Sequence, residues 1–262
     1  EEGDHRTKVQ RDLQPRIDLP ARHLYPANST ITAPAAIRPI SASRRGPTRS
    51  PSTSQAISAA KTVDEWSLAG EVSLRRNAPL ASSGLSRIPA IGVGVAFDNA
   101  GNPGYAVGET AHAQFSWLAS LGPSVIANEA SFVGEIAWNK RLKTTKGEAF
   151  LNPNADVSAT GIRMVYTPTY RQLFSGLDVS PSVGLGYTWG KSSAVGPAFG
   201  VDKGGDINLG VTGTYLSNWV VSINVVKFIG PEGPTLDNAS NAQFMQSLKD
   251  RDFVSFSLRT TF

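Results

Sequence analysis

From Trp66 to the C-terminus the chain is written in segments of about ten residues whose side chains alternate between apolar and polar, the length and period of a tilted membrane-crossing β-strand. Eight such segments can be drawn. In the first, Trp66 to Arg76, Trp66, Leu68, Val72 and Leu74 share one parity and Glu71, Ser73 and Arg75 the other. The second, Tyr105 to Trp117, sets Phe115 and Trp117 against His112 and Gln114, and the third, Asn128 to Leu142, sets Phe132, Ile136 and Trp138 against Glu129, Glu135 and Asn139. The fourth, Asp156 to Thr167, carries Ile162, Met164 and Tyr166 opposite Arg163. The fifth, Leu177 to Trp189, carries Val183, Leu185, Tyr187 and Trp189 opposite Asp178, Ser180 and Ser182, with Pro181 as a flaw in the pattern. The sixth, Asp206 to Tyr215, opposes Ile207, Leu209 and Val211 to Asn208 and Thr212. The seventh, Trp219 to Phe228, opposes Val221, Ile223 and Val225 to Ser222 and Asn224, although Val226 and Phe228 fall on the polar parity. The eighth, Phe253 to Phe262, opposes Val254, Phe256, Leu258 and Phe262 to Ser255, Ser257 and Arg259.

Alternation also describes a soluble β-sandwich, so connection lengths and aromatic placement must decide. Counted back from the C-terminus, the connections are long (229–252), short (216–218), long (190–205), intermediate (168–176 and 143–155), short (118–127) and very long (77–104). Long loops on one side and short turns on the other are the habit of outer-membrane barrels, with Phe262 at the periplasmic edge. That orientation predicts aromatic rings at strand ends on the outward parity. Trp66, Trp117, Tyr166, Tyr215, Trp219 and Phe262 fall at the periplasmic end, and Trp138, Tyr187 and Trp189 at the extracellular end. Any one of these nine taken singly reads better as a core residue. Their agreement favours the barrel.

Residues 1–62 differ. They hold seven of the 17 prolines and a single aromatic, Tyr25, a composition that buries too little apolar surface to offset its ordering entropy. A disordered arm over 1–62 and a barrel region over 63–262 are expected, with a plug or an interrupted strand region as alternatives for the arm. Residues 1–63 carry 10 Lys+Arg and 5 Asp+Glu, the remainder 15 and 16, so the net +4 divides into +5 and −1. The arm lacks a Gly-aromatic pattern for stacking bases, and its arginines read as solvated charge rather than a nucleic-acid surface. With no cysteine, disulfides and thiolate metal sites are excluded. No run of about 18 apolar residues occurs, which argues against a spanning helix and says nothing against a barrel. The first residues, Glu-Glu-Gly-Asp-His, show no signal peptide. On the barrel reading an upstream segment is missing or processed.

Several stretches carry a family resemblance: Gly134-Glu135-Ile136-Ala137-Trp138-Asn139, the run Tyr187 to Pro197, Lys203-Gly204-Gly205-Asp206, and Gln246 to Asp252. Over residues 64–262 the chain resembles the C-terminal half of the proteobacterial outer-membrane proteins grouped as domain-of-unknown-function family thirteen-oh-two. The resemblance implies a Gram-negative outer-membrane location and a barrel about twice this length. It further implies a C-terminal strand read by the barrel-assembly machinery through Phe262, and a periplasmic or lipoprotein partner. Family members are encoded near transporters and catabolic genes for hydrophobic compounds, which implies transport of small, including hydrophobic, solutes. It brings no catalytic residues and no cofactor.

The inward parity supplies the candidate lumen residues Glu71, Arg75, His112, Glu129, Glu135, Arg163, Asp178, Asp206 and Arg259. Charged rings set pore selectivity; the plainer reading is a network of neutralising pairs, favoured about two to one because lumen polar groups need partners in any barrel. Small inward residues (Ser180, Ser182, Gly184, Gly186, Gly210, Thr212, Ser255 and Ser257) would underfill an eight-strand interior, which points to a larger or plugged barrel. A hydrolase would need a base, and the only strand histidine, His112, has Ser116 on its parity but no orienting carboxylate. Three histidines without a carboxylate cluster form no metal site. The glycine-rich segment Gly190 to Gly205 fails the P-loop spacing. With residues 230–252 it reads as an extracellular loop folding inward. The expectation is thus an all-β, antiparallel up-and-down transmembrane barrel, non-enzymatic, passing or binding small solutes. The alternative is a structural or surface-interaction barrel without a conducting path.

Overall fold

The computed structural model describes residues 52–83 and 102–261. They form nine antiparallel strands: β1 (Thr53–Val63), β2 (Trp66–Pro79), β3 (Val107–Leu121), β4 (Glu129–Lys146), β5 (Ser158–Phe174), β6 (Leu177–Trp189), β7 (Gly204–Tyr215), β8 (Trp219–Ile229) and β9 (Phe253–Thr260). All belong to one open sheet in sequence order, each strand paired with its chain neighbours. No second sheet packs on it among the described residues, so a two-layer sandwich is ruled out for them. The arm reading of residues 1–51, the connection 84–101 and Phe262 lie outside the described residues.

The structure adds a ninth strand to the eight read from the sequence, β1, which begins upstream of residue 62. β1 pairs residue for residue with β2, from Thr53 opposite Arg76 to Val63 opposite Trp66. Its sequence, TSQAISAAKTV, is so rich in Ala and Ser that its alternation is nearly invisible, and the backbone ladder with β2 supplies what its side chains lack. A two-residue turn, Asp64-Glu65, closes the hairpin with Asp64 at φ 50°, a conformation Asp tolerates.

β5 is also longer than expected. It continues to Phe174, so the connection drawn at 168–176 shrinks to Ser175-Gly176, where Gly176 supplies φ 76°. The short connections are then 64–65, 122–128, 175–176 and 216–218, and the long ones 80–106, 147–157, 190–203 and 230–252. They alternate without exception. Pro181 is accommodated by a gap: the β5–β6 ladder stops at Tyr166–Val183 and resumes at Tyr170–Val179. Pro168 and Pro181 both fall inside it, so neither is asked for an N–H. Thr169 Oγ1 and Ser180 Oγ bridge the gap at 2.9 Å.

Register keeps the two parities in phase across the sheet. The row through Trp66 runs Ala119, Phe132, Tyr166, Val183, Leu209, Val225 and Val254. A neighbouring row runs Ser116, Glu135, Arg163, Gly186 and Asp206. A slip of one residue would exchange the faces. The strands are staggered as well: the Trp66 row meets β8 at Val225, six residues (225 − 219) from Trp219 at the turn. With about 3.4 Å per residue and about 4.8 Å between strands, that offset over six strand steps slopes by about 35°.

The apolar face is uncovered. Val72, Phe115, Ile136, Val183, Leu209, Ile223 and Phe256 are all exposed, Phe256 by 67%. Buried apolar side chains are few and small, mainly alanines, joined by Leu80, Val107, Val226 and Phe244.

Candidate solute site on the polar face

The polar face is built from the polar parity of each strand and from long connections that fold against it. The connection 190–203 crosses from β6 to β7. In it Ser192 Oγ donates to Asn139 Oδ1 at 2.6 Å, and Arg141 Nε donates to Ser193 Oγ at 3.2 Å. A 3₁₀ turn, Pro197–Phe199, brings the Phe199 ring over Gly161, where an added Cβ would lie 3.4 Å from the ring. The glycine-rich segment thus folds against the polar face of the sheet.

The other long connections lock onto this one. Asp202 N donates to Phe244 O at 2.8 Å, Ala81 N to Ser193 O at 2.8 Å, and Asn152 N to Ala81 O at 2.9 Å. Asn152 Nδ2 reaches Ala242 O at 2.9 Å and Asn154 Nδ2 reaches Asp237 Oδ2 at 2.8 Å. Gln246 Nε2 donates to the Gly205 carbonyl at 3.0 Å. Asn152, Ser192 and Ser193 are all but fully buried, and each finds a partner, as buried polar groups require. The amides of Asn154 and Asn241, with the backbone N–H of Asn241 and Ala239, hold the Asp237 carboxyl below the usual carboxylate range.

Eight of the nine candidate lumen residues sort into three groups. At the short-turn end Arg171, which sequence reasoning overlooked, bridges Glu129 and Asp178, with Nη1 2.8 Å from Asp178 Oδ2. In mid-sheet Arg163 Nη2 reaches over Gly186 to Asp206 Oδ1 at 2.9 Å, and Gln114 Nε2 donates to Glu135 Oε2 at 2.8 Å. Paired charges thus account for four of the nine predicted positions, Glu129, Asp178, Arg163 and Asp206, and a neutral amide partners a fifth, Glu135. Two of the small residues on this face are slots for neighbouring side chains: Gly186 for Arg163 and Asp206, Gly210 for Asn224 and Ser182.

The third group is a pocket of about 160 Å³ on β2, β3 and β4, where Glu71, Arg75 and His112 are joined by Ser73, Gln114, Asn139 and Phe199. Among the described residues Glu71, Arg75 and Arg259 form no ion pair, and Arg259, opposite Val220 on β9, joins none of the groups. His112 Nε2 and Thr110 Oγ1 are 2.9 Å apart. Ser116 lies four residues further along the strand, about 13 Å away by backbone rise, beyond the reach of an imidazole base. Asn139 and Phe199 went unrecognised as site residues. Asn139 carried the right parity; the position of Phe199 depends on the path of a loop.

On the apolar face the aromatic residues make contact as well as share a level. Phe132, absent from the predicted girdle, joins Trp66 (6.2 Å between centroids), Trp117 (5.6 Å) and Tyr166 (6.3 Å). Trp117 lies over Gly134, its register partner, the cross-strand covering of a glycine that protects a bare backbone. Tyr215 and Trp219 pair directly at the next turn. At the other end Tyr187 and Trp189 stack edge to face at 4.7 Å, and Trp138 shares the row of Trp189 through Thr160.

No curated protein and no solved structure matches the chain. A family model does: it takes in all nine strands but the first two residues of β1, reaching upstream of the resemblance read from residue 64, and so joins β1 to the same domain. The chain belongs to the family described as protein of unknown function (DUF1302), whose model matches residues 55–262.

Proposed function

We propose that the nine strands are part of a Gram-negative outer-membrane β-barrel through which small solutes, hydrophobic ones included, pass or at which they bind, without catalysis. The observation that carries the reading is the in-phase apolar face, exposed across β2 to β9 and bordered at both ends by aromatic side chains. In water each such side chain left uncovered forgoes about 1.5–3 kcal/mol of burial, and patches this wide mark membrane or partner contact. The slope of about 35° in strand stagger and the strict alternation of short and long connections fit the same reading. The free outer edges of β1 and β9 call for further strands that close the barrel. On this reading the barrel-assembly machinery engages the C-terminal strand, and a periplasmic or lipoprotein partner completes the system.

A second reading, a surface-interaction barrel with no conducting path, is favoured by the interlocked loops lying over the polar face. Planar-bilayer recordings on the full-length protein separate the two. The passage reading expects discrete, solute-sensitive conductance; its absence from folded protein, verified by heat-dependent gel mobility, leaves the second reading in place.

A further inference from the structure

Beneath the loop cap, the pocket on β2, β3 and β4 combines features that the paired charges elsewhere on this face lack. Its charged groups, Glu71 and Arg75, are exposed and stand outside the ion pairs formed among the described residues. Asn139 lines its wall with 1% exposure; Oδ1 is taken by Ser192, while Nδ2 has no hydrogen-bond partner. A buried amide donor left unpaired is costly, and an acceptor brought by a ligand relieves that cost. Ser73, His112 and Asn139 stand in one register row, with Arg75 two residues beyond Ser73. Donors therefore gather on one side of the pocket. The Phe199 ring and Ala137 give the other side an apolar surface, with Glu71 beside them.

We propose that this pocket binds a small organic monocarboxylate with a flat apolar body. The carboxylate meets Arg75 and the Asn139 amide, and the body lies against Phe199. A single guanidinium with a carboxylate close by suits a singly charged head and disfavours a dianion, since the second negative charge would meet Glu71 without a second cation. The volume of about 160 Å³ is room enough for a ligand of one ring. The inference deepens the solute-binding reading, because it rests on the polar face being open to solutes from one side of the membrane.

Isothermal titration of the detergent-folded full chain with benzoate, benzamide and acetate tests it. Saturable benzoate binding is expected, at least about tenfold tighter than benzamide, which lacks the charge, and than acetate, which lacks the ring. Arg75→Gln is expected to weaken benzoate at least about tenfold, Phe199→Ala to remove the preference over acetate, and Glu71→Gln to leave binding unchanged or tighter. Equal affinity for benzoate and benzamide, or an unaffected Arg75→Gln protein, overturns the assignment. Because Arg75 is exposed, that variant is expected to fold, and heat-dependent mobility verifies it. Conductance without benzoate binding removes the ligand assignment and leaves passage standing; benzoate binding without conductance does the reverse.

Discussion

The two ends of the sheet share one backbone ladder and differ in what their connections cover. At the short-turn end the links are two to seven residues long and bury little; its charged cluster, Arg171 with Glu129 and Asp178, stays open to solvent. At the long-connection end four segments hydrogen-bond to one another and bury Asn139, Asn152, Ser192, Ser193 and Gln246. One end is held by the ladder and aromatic contacts, the other by a polar network with little access to water. Such a network fails when one member is removed, because the remaining groups have no water to turn to. An open ion pair fails gently.

That contrast can be broken most sharply where the long-connection end has no room. Gly205 lies against the Gly186 carbonyl, so that any Cβ would collide with backbone. Gly205→Val is expected to cost about 3 kcal/mol and to disturb the β6–β7 register, read as a lowered urea midpoint with loss of heat-dependent mobility. Next in size, Asn152→Ala removes the bond to Ala242 O and the acceptor for Asn154 N. About 2 kcal/mol is expected, with faster proteolysis in 230–252 and unchanged protection at the short turns. Arg171→Ala, at the other end, should shift the midpoint far less than Asn152→Ala. An equal shift would erase the distinction between the ends.

The smallest effect expected concerns pH. Asp237 has its carboxyl pKa lowered by the Asn154 and Asn241 hydrogen bonds, so its native state favours the ionised form. Its contribution is fully present above the unfolded value of about 3.9 and is lost as pH falls through the lower folded value. The protection factor of the Asn241 amide, corrected for the intrinsic pH dependence of exchange, should therefore fall below about pH 4 and stay flat from pH 5 to 8, and Asp237→Asn should abolish the acid step. A loss of protection that persists in Asp237→Asn would assign the step to another group.

Strands with strong alternation were legible to within a few residues: β6 spans Leu177–Trp189, as its parity pattern indicated. β1 was hidden because Ala and Ser carry little contrast between faces, and the end of β5 because Pro168 interrupts a pattern that the sheet continues around. Of the site, the inward charges were visible from parity, but their pairing was not. Arg163 reaches Asp206 across a whole strand, over a glycine, and Arg171 joins Glu129 to Asp178 where β5 bends at Gln172, φ 48°. Phe199 comes from a loop with no periodicity to follow.

By itself the sequence determined which side chains lie on which face, because a strand of period two leaves no other choice once its apolar parity is set. It also placed the aromatic side chains near the strand ends, whereas the strict alternation of short and long connections emerged only once β5 was seen to run on to Phe174. Only the tertiary structure decided which inward charges neutralise one another and which are left facing a pocket. Those outcomes depend on strand stagger and on the path of the long connections, and both are settled by contacts between residues far apart in the chain.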